Sequence, residues 1–245
     1  MRMKKKRHGT DRRVLLSDLF CENIIDAASS ESDLYAAKAP LRIEIGCGKG
    51  DFVRELSARE NEYNYLAIEK IADVAVVAAE KYAVSRGLGE QAPNGGWIKP
   101  DGTVTAYGEG SVPFSKEELG NVRFLVGDAK QLLESLPDHS VESIYINFCD
   151  PWSKKGYAKR RLTHRDFLNM YSRILIPGGK LCFKTDNRDL FDFSVEEIAA
   201  SSFETERLTY DLHASEFDAE NIRTEYERNF SAKGFKINYL RAINR

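Results

Sequence analysis

From residue 41 onward the chain alternates short apolar runs with helix-period segments, and this alternation constrains its fold more than any other feature. Residues 41–46, 65–69, 122–126, 143–148 and 180–185 have strand character, while 51–59, 71–86, 129–136, 165–175 and 190–201 carry helical periodicity. Repeated strand–helix–strand units require right-handed crossovers, which set the strands parallel in one sheet covered by helices on both faces. Two further strands, 206–211 and 235–240, flank a polar stretch that ends in a short helix, and are expected to pair as the far edge of the same sheet. The expectation is an α/β fold: a doubly wound, seven-stranded, mostly parallel sheet in a single domain over residues 40–245, preceded by a basic extension over residues 1–39. A chain of 245 residues is long enough to bury roughly 70% of its unfolded surface. Residues 88–120 break the rhythm. Pro93, Asn94-Gly95-Gly96, Pro100, Asp101-Gly102, Gly108, Gly110 and Pro113 are turn chemistry and predict an inserted loop or small hairpin.

Composition narrows the remaining classes. With 42% hydrophobic and 30% charged residues the chain is not disordered. No apolar run reaches the ~18 residues of a membrane helix, and Ser17 and Asp18 interrupt any signal-peptide core after the basic N-terminus. Cys21, Cys47, Cys149 and Cys182 are widely spaced with no CxxC pair, which argues against zinc and a disulfide framework and suits a reducing cytoplasm. A cytoplasmic protein without metal or membrane attachment is expected.

The net charge of −2 hides a segregation. Residues 1–13 carry seven Lys/Arg against Asp11, and residues 151–165 carry Lys154, Lys155, Lys159, Arg160, Arg161 and Arg165 with no acid. The rest of the chain holds 23 bases and 37 acids. An acidic body with two concentrated basic segments fits a protein that grips a polyanion at chosen places.

Glu44-Ile45-Gly46-Cys47-Gly48-Lys49-Gly50 closes the first strand and opens the first helix. Alternate glycines permit a tight turn and close approach of a ligand. Glu69 ends the second strand, where a carboxylate can accept both ribose hydroxyls, and Asp128 follows the third, beside an adenine position. A nicotinamide dinucleotide fingerprint would need glycine where Asp51 stands, and Glu44 and Asp51 disfavour phosphate beside the loop. Acids suit a phosphate-free ligand with a cationic centre, such as S-adenosyl-L-methionine. The E-x-G-x-G-x-G pattern resembles motif I of the class I methyltransferases, whose fold is Rossmann-like.

In an open α/β sheet, chemistry gathers beyond the carboxyl ends of the strands near the point where strand order reverses. The fourth strand ends there in Asn147-Phe148-Cys149-Asp150-Pro151-Trp152, followed at once by the basic run through Arg161. Asp150 is therefore expected beside the transferable methyl, with a polyanion clamp next to it. Asp150-Pro151-Trp152, the Lys/Arg run ending before Leu162, Thr185-Asp186-Asn187, and Thr224-Glu225-Tyr226-Glu227 together resemble the bacterial tRNA (guanine-N7)-methyltransferase family over residues 40–239. The resemblance implies methyl transfer from S-adenosyl-L-methionine to N7 of a guanosine in the tRNA variable loop. It implies cofactor contacts at Glu44, Gly46, Gly48, Gly50, Glu69, Asp128 and Asp150, a catalytic role for Asp150, and substrate contacts at Lys154, Lys159, Arg160, Arg161, Asp186, Thr224, Tyr226 and Glu227. Two departures stand out: Gly156-Tyr157-Ala158 occupies the place of a usual histidine, and the 88–120 insertion replaces a short connection.

Guanine N7 carries a lone pair and no proton, so the reaction needs alignment and negative charge near the developing cation rather than a strong base. Asp186 and Glu227 are expected to accept from guanine N1–H and the 2-amino group. His139 and His164 read as turn or helix-start residues, and His8 and His213 carry no visible signal. The alternatives are methylation of another RNA base atom, a nicotinamide-dependent oxidoreductase on the same architecture, or a non-catalytic RNA-binding relic. The sequence leaves the choice between monomer and homodimer open.

Overall fold

The computed structural model describes residues 8–29 and 33–245. The N-terminal part forms α1 (Gly9–Leu15), a 3-10 turn and α2 (Ile24–Ala28). The domain then runs β1 (Leu41–Ile45), α3 (Asp51–Arg59), β2 (Asn64–Glu69) and α4 (Ala72–Ser85). Next come three two-residue strands, β3 (Glu90–Gln91), β4 (Trp97–Ile98) and β5 (Val104–Thr105), followed by α5 (Lys116–Leu119). β6 (Val122–Val126), α6 (Ala129–Glu134), β7 (Val141–Asn147), α7 (Arg165–Ile174), β8 (Leu175–Thr185) and α8 (Arg188–Ala199) complete the alternation. β9 (Phe203–Thr209), α9 (Glu225–Ser231) and β10 (Asn238–Asn244) close the chain.

The main sheet has seven strands in the order β6-β2-β1-β7-β8-β10-β9. β6, β2, β1, β7 and β8 are parallel, and β10 runs antiparallel between β8 and β9. Strand order reverses between β1 and β7, so the ends of these two strands open the crevice that a doubly wound sheet reserves for ligands.

The two faces of the sheet differ. On one, Ile43, Ile45, Ile144, Ile146, Leu181, Phe183 and Leu240 pack beneath Phe167, Leu168 and Ile174 of α7 and Leu190, Phe191 and Ile198 of α8. On the other, α3 and α4 cover only the β6–β2 half, through Val53, Leu56, Ala75, Ala79 and Tyr82 against Tyr65, Ala67 and Phe124. Beyond β1 that face turns polar, presenting Arg42, Tyr145, Lys180, Cys182, Lys184 and Arg241. Leu212, Phe217, Asn221 and Ile222 arch over it and leave a cavity of about 350 Å³.

Three expectations are refined. Between the expected helix at 165–175 and strand at 180–185 there is no separate turn: β8 runs from Leu175 through Pro177-Gly178-Gly179, and pairing jumps from Val141↔Leu175 to Ser143↔Lys180, so these residues bulge out within one strand. A side chain at Gly179 would meet the carbonyls of Ile176 and Glu142 at 2.8 and 2.9 Å, which explains why glycine stands there. The 88–120 insertion is a three-stranded antiparallel flap pinned by Trp97, whose buried indole donates to the Leu88 carbonyl at 3.0 Å. The basic N-terminal extension packs onto the domain over its described residues. Leu15, Leu16, Leu19 and Phe20 are buried, Cys21 N–H donates to the Phe124 carbonyl, and Arg12 and Arg13 are ion-paired with Glu80 and Glu22. The remaining basic residues of that segment, Arg2 and Lys4 to Arg7, lie outside the described residues.

Candidate active site

The glycine turn after β1 has Gly46, Gly48 and Gly50 all in the left-handed region, at φ 74°, 56° and 76°. At Gly50 the reason is packing, because a Cβ there would sit 2.8 Å from that of Ala78 on α4. At Gly46 and Gly48 an added Cβ would meet nothing within 4 Å, so these positions keep open space above the backbone where a ligand can approach. Glu69, at the end of β2, braces the turn: its carboxylate accepts from Gly48 N–H at 3.1 Å and from Ile71 N–H at 2.9 Å. Asp128, just past β6, caps α6 by accepting from Lys130 N–H and pairs with Lys70 at 2.8 Å. The hydrogen bond from Lys70 holds its carboxyl below the usual range.

Glu44 lies at the floor of the crevice, buried, with one carboxylate oxygen accepting from Asn147 Nδ2 at 3.0 Å. The other, Oε2, is buried without a hydrogen-bond partner among the described residues. Burial pushes this carboxyl up to about 7, against the opposing pull of Asn147 and the Lys184 charge. An unpartnered buried carboxylate oxygen beside an open glycine turn is a waiting acceptor for a cationic ligand group. Asp51, by contrast, is committed to Lys81 at 2.9 Å, so the sequence-based reading of it as a second acid for a cationic ligand gives way to a helix–helix tie.

At the switch point the chain leaves β7 through two bulky residues in the left-handed region, Phe148 at φ 55° and Trp152 at φ 43°. Such residues cost about 1–2 kcal/mol each and persist where surrounding structure enforces them. The enforcement is visible. Phe148 N–H donates to the Lys184 carbonyl, and the Arg161 guanidinium donates to the carbonyls of Pro151 and Trp152 while lying over the Phe193 ring. Asp150, between the two strained residues, is exposed, and its carboxylate has no partner among the described residues.

The basic run folds into a 3-10 segment over Lys155–Arg160. The ammonium groups of Lys154, Lys155 and Lys159 are exposed and unpaired among the described residues. Arg160 sits between two aromatic rings, 5.0 Å from that of Trp152 and 4.7 Å from that of Tyr157. Arg161, grouped with the phosphate contacts on sequence grounds, instead faces inward as the brace of the turn.

α9 brings the last group to the same mouth. Thr224 caps the helix by accepting from Glu227 N–H at 3.1 Å, and Glu225 reaches Lys49 of the glycine turn at 3.3 Å. Tyr226 lies on Phe148 and donates to Asp186 at 3.5 Å, a long bond. Glu227 departs from expectation. It is fully buried, one oxygen accepting from Lys184 at 2.8 Å and the other from His213 at 2.8 Å and Asn221 at 2.7 Å. Burial raises its carboxyl, but Lys184, Asn221 and His213 outweigh burial and hold it below the usual range. With both oxygens taken, Glu227 anchors α9 and offers no free acceptor to a base. Sequence reading missed Asn147, Phe148, Lys184, Asn221 and His213. His139 and His164 are the expected turn and helix-cap residues, and no cluster able to hold a metal occurs among the described residues.

Comparison with known proteins supplies independent findings. The sequence model of a family described as "putative methyltransferase" matches residues 38–240. A tRNA (guanine-N(7)-)-methyltransferase of Listeria innocua is 36% identical over 242 residues, covering 99% of this chain and 98% of that protein. One of Brevibacillus brevis is 35% identical over 218 residues, covering 89% and 87%. Among solved structures, the 16S rRNA methyltransferase KamB aligns with a TM-score of 0.53 at 8% identity, over 84% of this chain and 87% of that one. TrmN from Thermus thermophilus aligns at 0.51 and 15% identity over 84% of this chain and 44% of that one. These structural likenesses bear on the fold alone, which they share.

Proposed function

The chain belongs to the tRNA (guanine-N7)-methyltransferase family, and from that premise we propose how its own residues carry out S-adenosyl-L-methionine-dependent methylation of guanine N7 in tRNA. The observation that carries the reading is the pairing, across the β1–β7 switch point, of an unpartnered buried Glu44 oxygen with an exposed, unpaired Asp150. The first fits the α-ammonium of the methyl donor. The second lies where the base must arrive.

The residues present fit that donor. Gly46 and Gly48 leave room along the turn, Glu44 meets the ammonium, Glu69 retains lone pairs for the ribose hydroxyls, and Asp128 stands at the adenine end. When bound, S-adenosyl-L-methionine supplies an electrophilic methyl group on a sulfonium. Asp150 aligns the guanine and places negative charge beside a base that becomes cationic once N7 carries the methyl; no proton has to leave N7. Asp186 accepts from the guanine N1–H and 2-amino edge, which adenine lacks. Tyr226, resting on Phe148, holds the base at the mouth. Glu227 acts indirectly by fixing α9.

Lys154, Lys155, Lys159 and Arg160 hold the tRNA phosphates. The guanosine is placed in the variable loop, and the enzyme works in the cytoplasm where tRNA resides; no helix among the described residues is long and apolar enough to cross a membrane. The test is incubation of the purified chain with tritiated S-adenosyl-L-methionine and unmodified tRNA, followed by nucleoside mapping. Label in 7-methylguanosine of the variable loop is the expected result. Label on another base atom, or none, overturns the assignment.

A further inference from the structure

Beside the crevice, four aromatic rings form a continuous run from the loop that carries Asp150 to the surface. Phe148 and Tyr226 have ring centroids 4.8 Å apart, Tyr226 and Phe230 stack at 4.2 Å with planes 15° apart, and Phe230 and Phe235 meet at 5.6 Å. The inner end is half-buried. The outer end is open, with Phe235 51% exposed and Tyr226 42% exposed.

An exposed aromatic run, with Tyr226 and Phe230 on the seven-residue α9 and Phe235 just beyond its end, is costly in water unless something covers it, and three observations indicate what does. The run begins two residues before Asp150, so it is continuous with the substrate side of the site. A cation lies at its outer end: the Lys233 ammonium is 5.1 Å from the centre of the Phe230 ring, with Lys236 on the same turn. The nearby acids are already engaged, Asp211 with Lys236 and Glu225 with Lys49 and Lys81. Flat rings beside an ammonium that has no acid partner among the described residues, that of Lys233, are the composition that takes a nucleobase on the ring face and its phosphate on the cation.

We propose that Phe230 and Phe235 form a platform on which an unpaired base of the substrate RNA, adjacent to the methylated guanosine, stacks. The proposal rests on the tRNA reading above and extends it from the target base to its neighbour.

The test uses the full chain and its Phe235→Ala and Phe235→Trp variants, since Phe235 is exposed and its replacement leaves the core intact. Equilibrium tRNA binding and methylation kinetics are measured at several salt concentrations, with S-adenosyl-L-methionine affinity and sedimentation velocity alongside. Phe235→Ala is expected to weaken tRNA binding and raise KM roughly 5- to 150-fold, the range of one lost base stack. kcat, cofactor affinity and the slope of log affinity against log salt should stay unchanged, because no phosphate contact is lost. Phe235→Trp should restore binding. An Ala variant that binds tRNA like an active wild type overturns the platform and leaves the methyltransferase reading standing. A wild type that neither binds nor methylates tRNA removes both. A wild-type dimer that Phe235→Ala dissociates overturns the platform in favour of self-association.

Discussion

The two sides of the crevice are built on opposite electrostatic plans. On the glycine-turn side each acid already has donors from the protein: Glu69 from Gly48 and Ile71, Asp128 from Lys130 and Lys70, and Glu44 from Asn147 on one oxygen. On the basic side, Lys154, Lys155, Lys159 and the Asp150 carboxylate have no partner among the described residues. A preformed set of acceptors costs little to organise when a small ligand arrives. A row of unpaired cations is completed only by the polyanion itself, and until then costs little because it stays in water. Single changes on the first side should therefore be felt in stability or chemistry, and changes to the unpaired lysines of the second side in RNA affinity alone.

The largest expected effect lies beneath the crevice. Glu227→Ala leaves the Lys184 charge, only 5% exposed, without its carboxylate. Removing one partner of a buried pair costs about 3–5 kcal/mol, whereas exchanging both for apolar residues is often near neutral. Urea titration should show a loss of that size for Glu227→Ala and recovery in Lys184→Met/Glu227→Leu. A single variant within about 1 kcal/mol of wild type would break the comparison on its firmer side. Asp150→Ala, set in the exposed turn, should leave stability unchanged but lower single-turnover methylation by about 10²–10³, the usual cost of losing an aligned electrostatic group. A rate within threefold of wild type contradicts its placement beside the reacting base.

The Glu44 carboxyl sharpens the contrast through pH. Its value rises from 4.5 unfolded to about 7 folded, chiefly through burial. The neutral form is thus the one the fold prefers: its contribution is fully present below pH 4.5 and lost as pH climbs through 7. The loss amounts to about 3 kcal/mol. Without the methyl donor, wild type should lose stability relative to Glu44→Gln between pH 5 and 8, a difference that thermal unfolding at several pH values reads directly. Bound S-adenosyl-L-methionine should shrink that difference, because its ammonium rewards the ionised form. Curves for the two proteins that stay parallel across the range would show that the carboxyl is not held in this state.

Most of the scaffold was legible because it rests on local patterns. Asp51–Arg59 and Val122–Val126 come from periodicity alone, and Glu44, Glu69 and Asp128 fall at strand ends where the topology collects them. The misreadings share a cause: they concern side chains whose direction is set by groups outside the short motif to which they belong. Thr224-x-x-Glu227 has the spacing of a helix cap, and Thr224 does cap α9, but Glu227 turns inward to meet Lys184, His213 and Asn221. Lys184, on β8, stands 43 residues before Glu227 in the chain, and no local spacing signals that the two meet. Arg161 is indistinguishable in sequence from Lys159 and Arg160. Its inward direction follows from the strained Trp152 carbonyl and the Phe193 face on α8, neither of which has a signature in the run itself.

The smallest expected effect tests the basic side. If Lys154, Lys155 and Lys159 contact phosphates, each displaces a condensed counterion on binding. Replacing all three with alanine should lower tRNA affinity at moderate salt and flatten the slope of log affinity against log salt by roughly 2–3, about 0.7–0.9 per contact. Because their ammonium groups have no partner among the described residues, urea stability and S-adenosyl-L-methionine affinity should remain at wild-type values. Arg161→Ala provides the opposite pattern from two residues away. It should leave the salt slope nearly unchanged while lowering turnover, since the carbonyls of Pro151 and Trp152 lose the donor that holds the Asp150 turn. Binding isotherms at four or five salt concentrations, with single-turnover rates for both variants, separate the two roles. A triple-lysine variant with the wild-type slope, or an Arg161→Ala variant that loses slope and keeps its rate, would show that the phosphate contacts and the brace are assigned to the wrong residues.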